Sequence, residues 1–122
     1  MSKRIDVNLT RQVLIAYDGS TEVYTFDCVS GDDVHPTPTG YFSIIRKRHP
    51  YTSHKYHVPM NYAMFFTKAG EAIHQGFAVG LLSYLKYFGI DSIGSHGCVR
   101  LSEDDASTLY QWAPLGTQVH VF

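Results

Sequence analysis

Cysteine is scarce in this chain, with two in 122 residues, so the disulfide framework that staples small secreted scaffolds cannot be built here. Long apolar runs are absent too. Nothing in the sequence approaches the ~20 residues a helix needs to span a bilayer, which excludes a membrane-crossing helix. Neither sign of charge dominates: ten Lys and Arg face eleven Asp and Glu, a formal net charge of −1. Bulk electrostatics therefore point neither to nucleic acid nor to an acidic membrane. The opening "MSKRIDVNLTRQ" lacks the apolar core of a signal peptide, so no export signal is expected within the chain. There is no internal repeat, low-complexity tract or linker, and the length suits one domain over residues 1–122.

What the chain does have is β-forming material, with nine Tyr and seven Phe within a hydrophobic content of 44%. Ile5, Val7 and Leu9 alternate with polar residues, as on a strand with one buried face. "QVLIAY" and "TEVYTFDCV" flank Asp18-Gly19, a turn dipeptide, and predict a hairpin. A Gly-, Pro- and Thr-rich loop, "SGDDVHPTPTG", leads to the strand-like "YFSII". "RKRHPYTSHKYHVPMN" is cationic and reads as irregular. "YAMFFT", "KAGE" and "AIHQG" read as strand, turn and strand, the last ending on His74. Two helices are expected. "GLLSYLKYFG" is bounded by glycines, while "SEDDASTLYQWA" has Ser102 to cap it and three acids in its first turn. Pro114 and Gly116 end it before a closing strand, "TQVHVF". The expected fold is mostly β, with one or two short helices.

The chemistry concentrates in "SIGSHGCVRL". A cysteine attacks carbonyls as thiolate, so it needs a base or a cation nearby and donors aimed at the developing oxyanion. Gly97 permits a sharp turn and close approach of a carbonyl, making the N–H groups of Gly97 and Cys98 candidate donors. Arg100, two residues beyond Cys98 on an expected strand, shares its face and could grip a substrate carboxylate. His96 also lies two residues from Cys98, but any of seven histidines could be the base. His74 stands out because it ends an apolar strand and precedes "QG". Two other uses of these residues remain open at this point: a Cys28–Cys98 disulfide, and a zinc site of His74, His96, Cys98 and Cys28.

"SHGCVRL" resembles the signature of the L,D-transpeptidase (YkuD-type) catalytic domains. The likeness runs in order along the chain, through "IDVNLTRQVLIAYDGSTEVYTFDCVSG", "PTPTGYFSI", "PMNYAMFFTKAGEAIHQG" and "DASTLYQWAPLGTQVHVF". The resemblance implies a YkuD-like fold of sandwiched or mixed sheets. It implies Cys98 as nucleophile, His74 as general base, and Ser95, His96 and Gly97 as the turn supporting thiolate and oxyanion, with Arg100 orienting the site. The interval from His74 to Ser95 is longer than the family's usual one, an excess that falls in "GLLSYLKYFG".

The implied activity is acyl transfer on peptidoglycan stem peptides, with no metal or organic cofactor and no nucleic-acid partner. D-Alanine would leave from a stem tetrapeptide, and the acyl group would pass to an amine to form a 3→3 cross-link, to a free D-amino acid, or to water as in an L,D-carboxypeptidase. The implied location is the periplasm or cell wall, the producer's own or, for an exported effector, a competitor's. The rival from another class is a silent module that binds cell wall through the basic run of Arg46, Lys47, Arg48 and Lys55.

Overall fold

In a computed structural model, residues 2–55 and 57–122 are described. Strands β1 (Lys3–Asn8), β2 (Val13–Asp18), β3 (Thr21–Asp27), β4 (Gly40–Ser43) and β9 (Gln118–Val121) form a five-stranded sheet in the order β3-β2-β1-β9-β4. Strands β5 (Arg46–Arg48), β6 (Ala63–Phe65), β7 (Ala72–Gln75) and β8 (Val99–Leu101) form a second sheet in that order. Helix α1 (Val79–Tyr87) and a 3-10 turn (Asp91–Ile93) lie within the connection from β7 to β8, and α2 (Glu103–Trp112) links β8 to β9. Both sheets are mixed, because β1 runs parallel to β9 and β7 parallel to β8.

Period-two patterning explains why the sheets pack. Ile5 and Val7 of β1, Leu14 and Ala16 of β2, and Val119 and Val121 of β9 turn the same way into one core. Met64, Ile73, Val99 and Leu101 reach that core from the second sheet, and Ala106 and Leu109 from α2. The hairpin β2–β3 turns at Gly19, whose φ of 63° is the left-handed value the tight turn demands. Ser102 caps α2 by accepting a hydrogen bond from the Asp105 N–H at 3.3 Å. The expected "GLLSYLKYFG" helix forms as α1, but it buries only Val79 and Ser83, and Leu81, Tyr84, Tyr87 and Phe88 are exposed.

Among its described residues the basic run is irregular beyond the first three, but those three are not. Arg46, Lys47 and Arg48 are β5, paired antiparallel with Phe65, Met64 and Ala63. Strand alternation then divides the charges. Arg46 turns its guanidinium over the Phe65 ring at 4.1 Å. Lys47 points the other way and donates to the carbonyls of Tyr110 and Ala113 at the end of α2, a cation completing a helix C-terminus.

Candidate active site

His74 and Arg100 face each other across the parallel pair β7–β8, with Ile73 opposite Val99. Cys98 immediately precedes β8, so Cys98 and Arg100 alternate onto the face that also carries Ala72 and His74. Ile73 and Val99, on the other face, are fully buried and hold the pair against the core. A small second cluster of Met60, Ala63, Phe65 and Ala72 packs with Tyr51 and Cys98 on the outer side. A strap of residues 51–55 and 57–60 folds over this side, with Met60 N–H donating to the Tyr51 carbonyl at 2.9 Å and Tyr51 N–H to Asn61 Oδ1 at 3.0 Å. Between strap and sheet lies a cleft of about 820 Å³ whose walls include Arg46, Tyr51, Glu71, His74, Cys98 and Arg100.

The His74 ring is buried, and its Nδ1–H donates to the Gln75 carbonyl at 2.6 Å. A carbonyl only accepts, so Nδ1 carries the proton and Nε2 is the nitrogen left to take one. Burial drives the His74 pKa down to about 4. The Gln75 carbonyl opposes that shift and the Arg100 charge adds to it. The Cys98 thiol is pushed up from its ordinary value, chiefly by burial. A hydrogen bond from the Ala72 backbone and the Arg100 charge pull it back down, while the Glu71 carboxylate adds to the rise. At neutral pH the cleft therefore holds a neutral thiol and a neutral imidazole.

The turn before Cys98 is tied from several directions. Ser95 is buried, and its hydroxyl donates to the Cys98 carbonyl while accepting from the Gly97 N–H at 3.2 Å. Gly97 has a φ of +113°, and a Cβ there would press on Glu71 Cγ at 3.3 Å. Its N–H is committed to Ser95, which leaves the Cys98 N–H as the turn's other candidate oxyanion donor. His96 is exposed at the rim and its ring packs on His35 with centroids 4.5 Å apart. The chain is not extended through Gly97, so two-residue spacing does not put His96 and Cys98 on a common strand face.

Several residues that support the site carry no chemistry of their own and were not singled out from the sequence. Thr37 accepts from the Gly31 N–H and donates to the Gly97 carbonyl, both at 2.9 Å. Gln12 grips Ser30 with both ends of its amide, at 2.8 and 3.0 Å, and the Ser30 carbonyl accepts from Ser95 N–H at 2.8 Å. A Cβ at Gly76 would meet Arg100 Cδ at 2.8 Å and Cβ at 2.9 Å, so this glycine makes room for the arginine. The "PTPTG" and "HQG" segments were the available signals for Thr37 and Gly76.

The two cysteines do not bond. Both are free, and they lie in different clusters, Cys28 in the core between the sheets and Cys98 on the outer side of the second. Burial, with the Asp27 charge, pushes the Cys28 thiol up to about 12; its place in the other cluster, apart from Cys98, takes it out of the expected zinc set. Among the described residues no three-ligand grouping forms around Cys98.

No curated protein matches the chain by sequence. Among solved structures, it is similar to an L,D-transpeptidase from Stackebrandtia nassauensis, at 29% identity and a TM-score of 0.84, covering 100% of this chain and 56% of that one. It is also similar to a cysteine-to-serine mutant of the Enterococcus faecium L,D-transpeptidase, at 26% identity and a TM-score of 0.83, covering 100% and 50%. The Ldtfm–avibactam carbamoyl enzyme is similar at 27% identity and a TM-score of 0.83, covering 100% and 49%. The chain thus spans about half the length of these relatives. Residues 2–121 match the YkuD family model, described as the L,D-transpeptidase catalytic domain. With the mostly β two-sheet fold shared with those structures, this chain belongs to the L,D-transpeptidase catalytic-domain family.

Proposed function

We propose that residues 1–122 form a single catalytic domain that transfers acyl groups on peptidoglycan stem peptides through Cys98, in the periplasm or cell wall. The observation that carries this reading is the shared sheet face of His74, Cys98 and Arg100 inside one cleft, with His74 neutral and its Nε2 left to act as base. The family acts on peptidoglycan stem peptides. A stem tetrapeptide ends in a D-amino acid whose carboxylate suits the Arg100 guanidinium. Cys98 Sγ attacks the carbonyl preceding that residue while its proton passes to His74 Nε2, so charge separates only as the C–S bond forms. The tetrahedral oxyanion lies against the Cys98 N–H. His74 then returns the proton to the leaving amine, and D-alanine departs from a thioester. An acceptor amine attacks that thioester with His74 again as base, and the stems are joined 3→3. Water in the same place trims the stem instead, and a free D-amino acid exchanges its end.

A defined stem tetrapeptide, incubated with and without an acceptor stem and followed by mass spectrometry of enzyme and products, tests the proposal. The expected result is loss of one D-alanine, a transient acyl adduct on Cys98, and a cross-linked product when acceptor is present. Cys98→Ala removes all three, and His74→Ala slows acylation by about a hundredfold or more, the weight of a positioned base. Ldtfm forms a carbamoyl enzyme with avibactam, and the same adduct is expected here on Cys98. An intact stem with no adduct at any enzyme concentration would overturn the assignment in favour of a binding module.

A further inference from the structure

We propose that Asp32, His35 and His96 form a binding site for a zinc-class divalent cation, which clamps the 30–37 loop to the turn that carries Cys98. One ligand atom from each of these residues lies within 4.8 Å of the other two. Asp32 Oδ1 and His35 Nδ1 are 3.0 Å apart. Ligands each about 2.1 Å from a zinc ion sit about 3.0–3.4 Å from one another in tetrahedral or octahedral arrangements. The 3.0 Å between Asp32 and His35 is at present a hydrogen bond, whose proton an ion bound by both atoms would displace, and the third ligand is the exposed ring of His96, which packs on His35.

The backbone beneath the cluster is already locked, so binding orders little that is not ordered. Asp32 N–H donates to the Ser95 carbonyl at 2.7 Å, and Thr37 Oγ1 donates to the Gly97 carbonyl at 2.9 Å. The Asp32 carboxylate is itself aimed by the N–H groups of Val34 and His35, at 3.0 and 2.6 Å, an outer shell of the kind that orients metal ligands. Two imidazoles and one carboxylate with an open fourth position for water suit Zn²⁺, Co²⁺ or Ni²⁺ better than Mg²⁺ or Ca²⁺. Asp32 and His35 are not among the residues lining the cleft of Cys98, and His96 alone belongs to both. The bound ion is therefore a brace on the nucleophile's turn and not a participant in acyl transfer.

Titration calorimetry with ZnCl2 on the Cys98→Ser protein, which removes the thiol as a competing ligand, tests this. One ion per chain with a micromolar dissociation constant is expected, together with a rise of several degrees in Tm at saturation. Adding His35→Ala, or separately Asp32→Asn, to that background weakens binding at least tenfold and abolishes the rise in Tm. Absence of stoichiometric binding, or binding that neither substitution weakens, overturns the proposal. Turnover is not read, so this outcome is independent of whether the chain transfers acyl groups.

Discussion

Burial makes the His74 imidazole a weak base in the folded chain, with a pKa near 4, and leaves Cys98 a thiol above its ordinary value. A resting thiolate–imidazolium pair would need both shifts reversed. In the proposed mechanism the site instead holds its proton on sulfur until a carbonyl arrives. His74 must be unprotonated to accept it, so kcat/KM is expected to rise with pH through about 4 and to be level by about pH 6. Steady-state release of D-alanine across that range measures it, and an acid limb near the ordinary histidine value of about 6.5 would mean that the ring is solvated in the working enzyme. Arg100 makes a separable contribution. Its backbone is pinned on one side by Val29, through bonds of 3.0 and 2.9 Å, and its stem lies over Gly76. Arg100→Ala is expected to raise KM more than it lowers kcat, because a carboxylate grip acts on ground state and transition state alike. Arg100→Lys restores charge without the two-pronged geometry and recovers only part of the loss.

At the level of elements, the turn from Gly94 to Cys98 depends on a loop sixty residues earlier. Gly94 and Gly31 meet back to back: a Cβ on Gly94 would stand 2.5 Å from Asp32 N and 2.6 Å from the Gly31 carbonyl carbon. Backbone cannot yield as a flexible side-chain tip can, so Gly94→Ala should cost about 1–3 kcal/mol of overpacking, read from urea unfolding. Thr37→Val keeps the shape but strands the Gly31 N–H and the Gly97 carbonyl, both buried bonds. That loss is worth about 1–3 kcal/mol, and kcat should fall with it as the Cys98 turn loosens. These contacts mark the limit of what the sequence makes legible. The strands of Ile5 and Val7, the Asp18-Gly19 hairpin and the Ser102 cap are local patterns, readable because their causes lie within a few residues. Grouping His74 with Cys98 came from the likeness to a family, and only the β7–β8 register gives it geometry. Gln12, Gly31, Thr37 and Gly94 each meet a partner at least 18 positions away, and no local pattern announces them. Lys47 was legible as a charge but not in direction, since its run forms a strand with alternating sides.

For the molecule as a whole, the layers decide which titratable groups matter to stability. Cys28 sits in the shared core with its thiol near 12 and stays neutral over any ordinary pH range. His74 is different, because its ordinary value is inside that range. Unfolded, the ring takes a proton near pH 6.5; folded, it resists until about 4. Between those two values the unfolded chain binds more protons than the folded one, so stability rises with pH across the window and is lost as pH falls through it. Between about pH 7 and pH 4.5 the change attributable to this one ring is about 2 kcal/mol. Carboxylates change protonation near the bottom of the same window, so the ring's share is isolated by comparison with His74→Gln, which cannot titrate. Urea unfolding of both proteins at the two pH values should give a difference of differences of about that size, the parent losing more on acidification. Equal losses in the two proteins would mean that residue 74 accepts its proton as readily folded as unfolded, and the base of the proposed acyl transfer would titrate as an ordinary imidazole near 6.5 and not near 4.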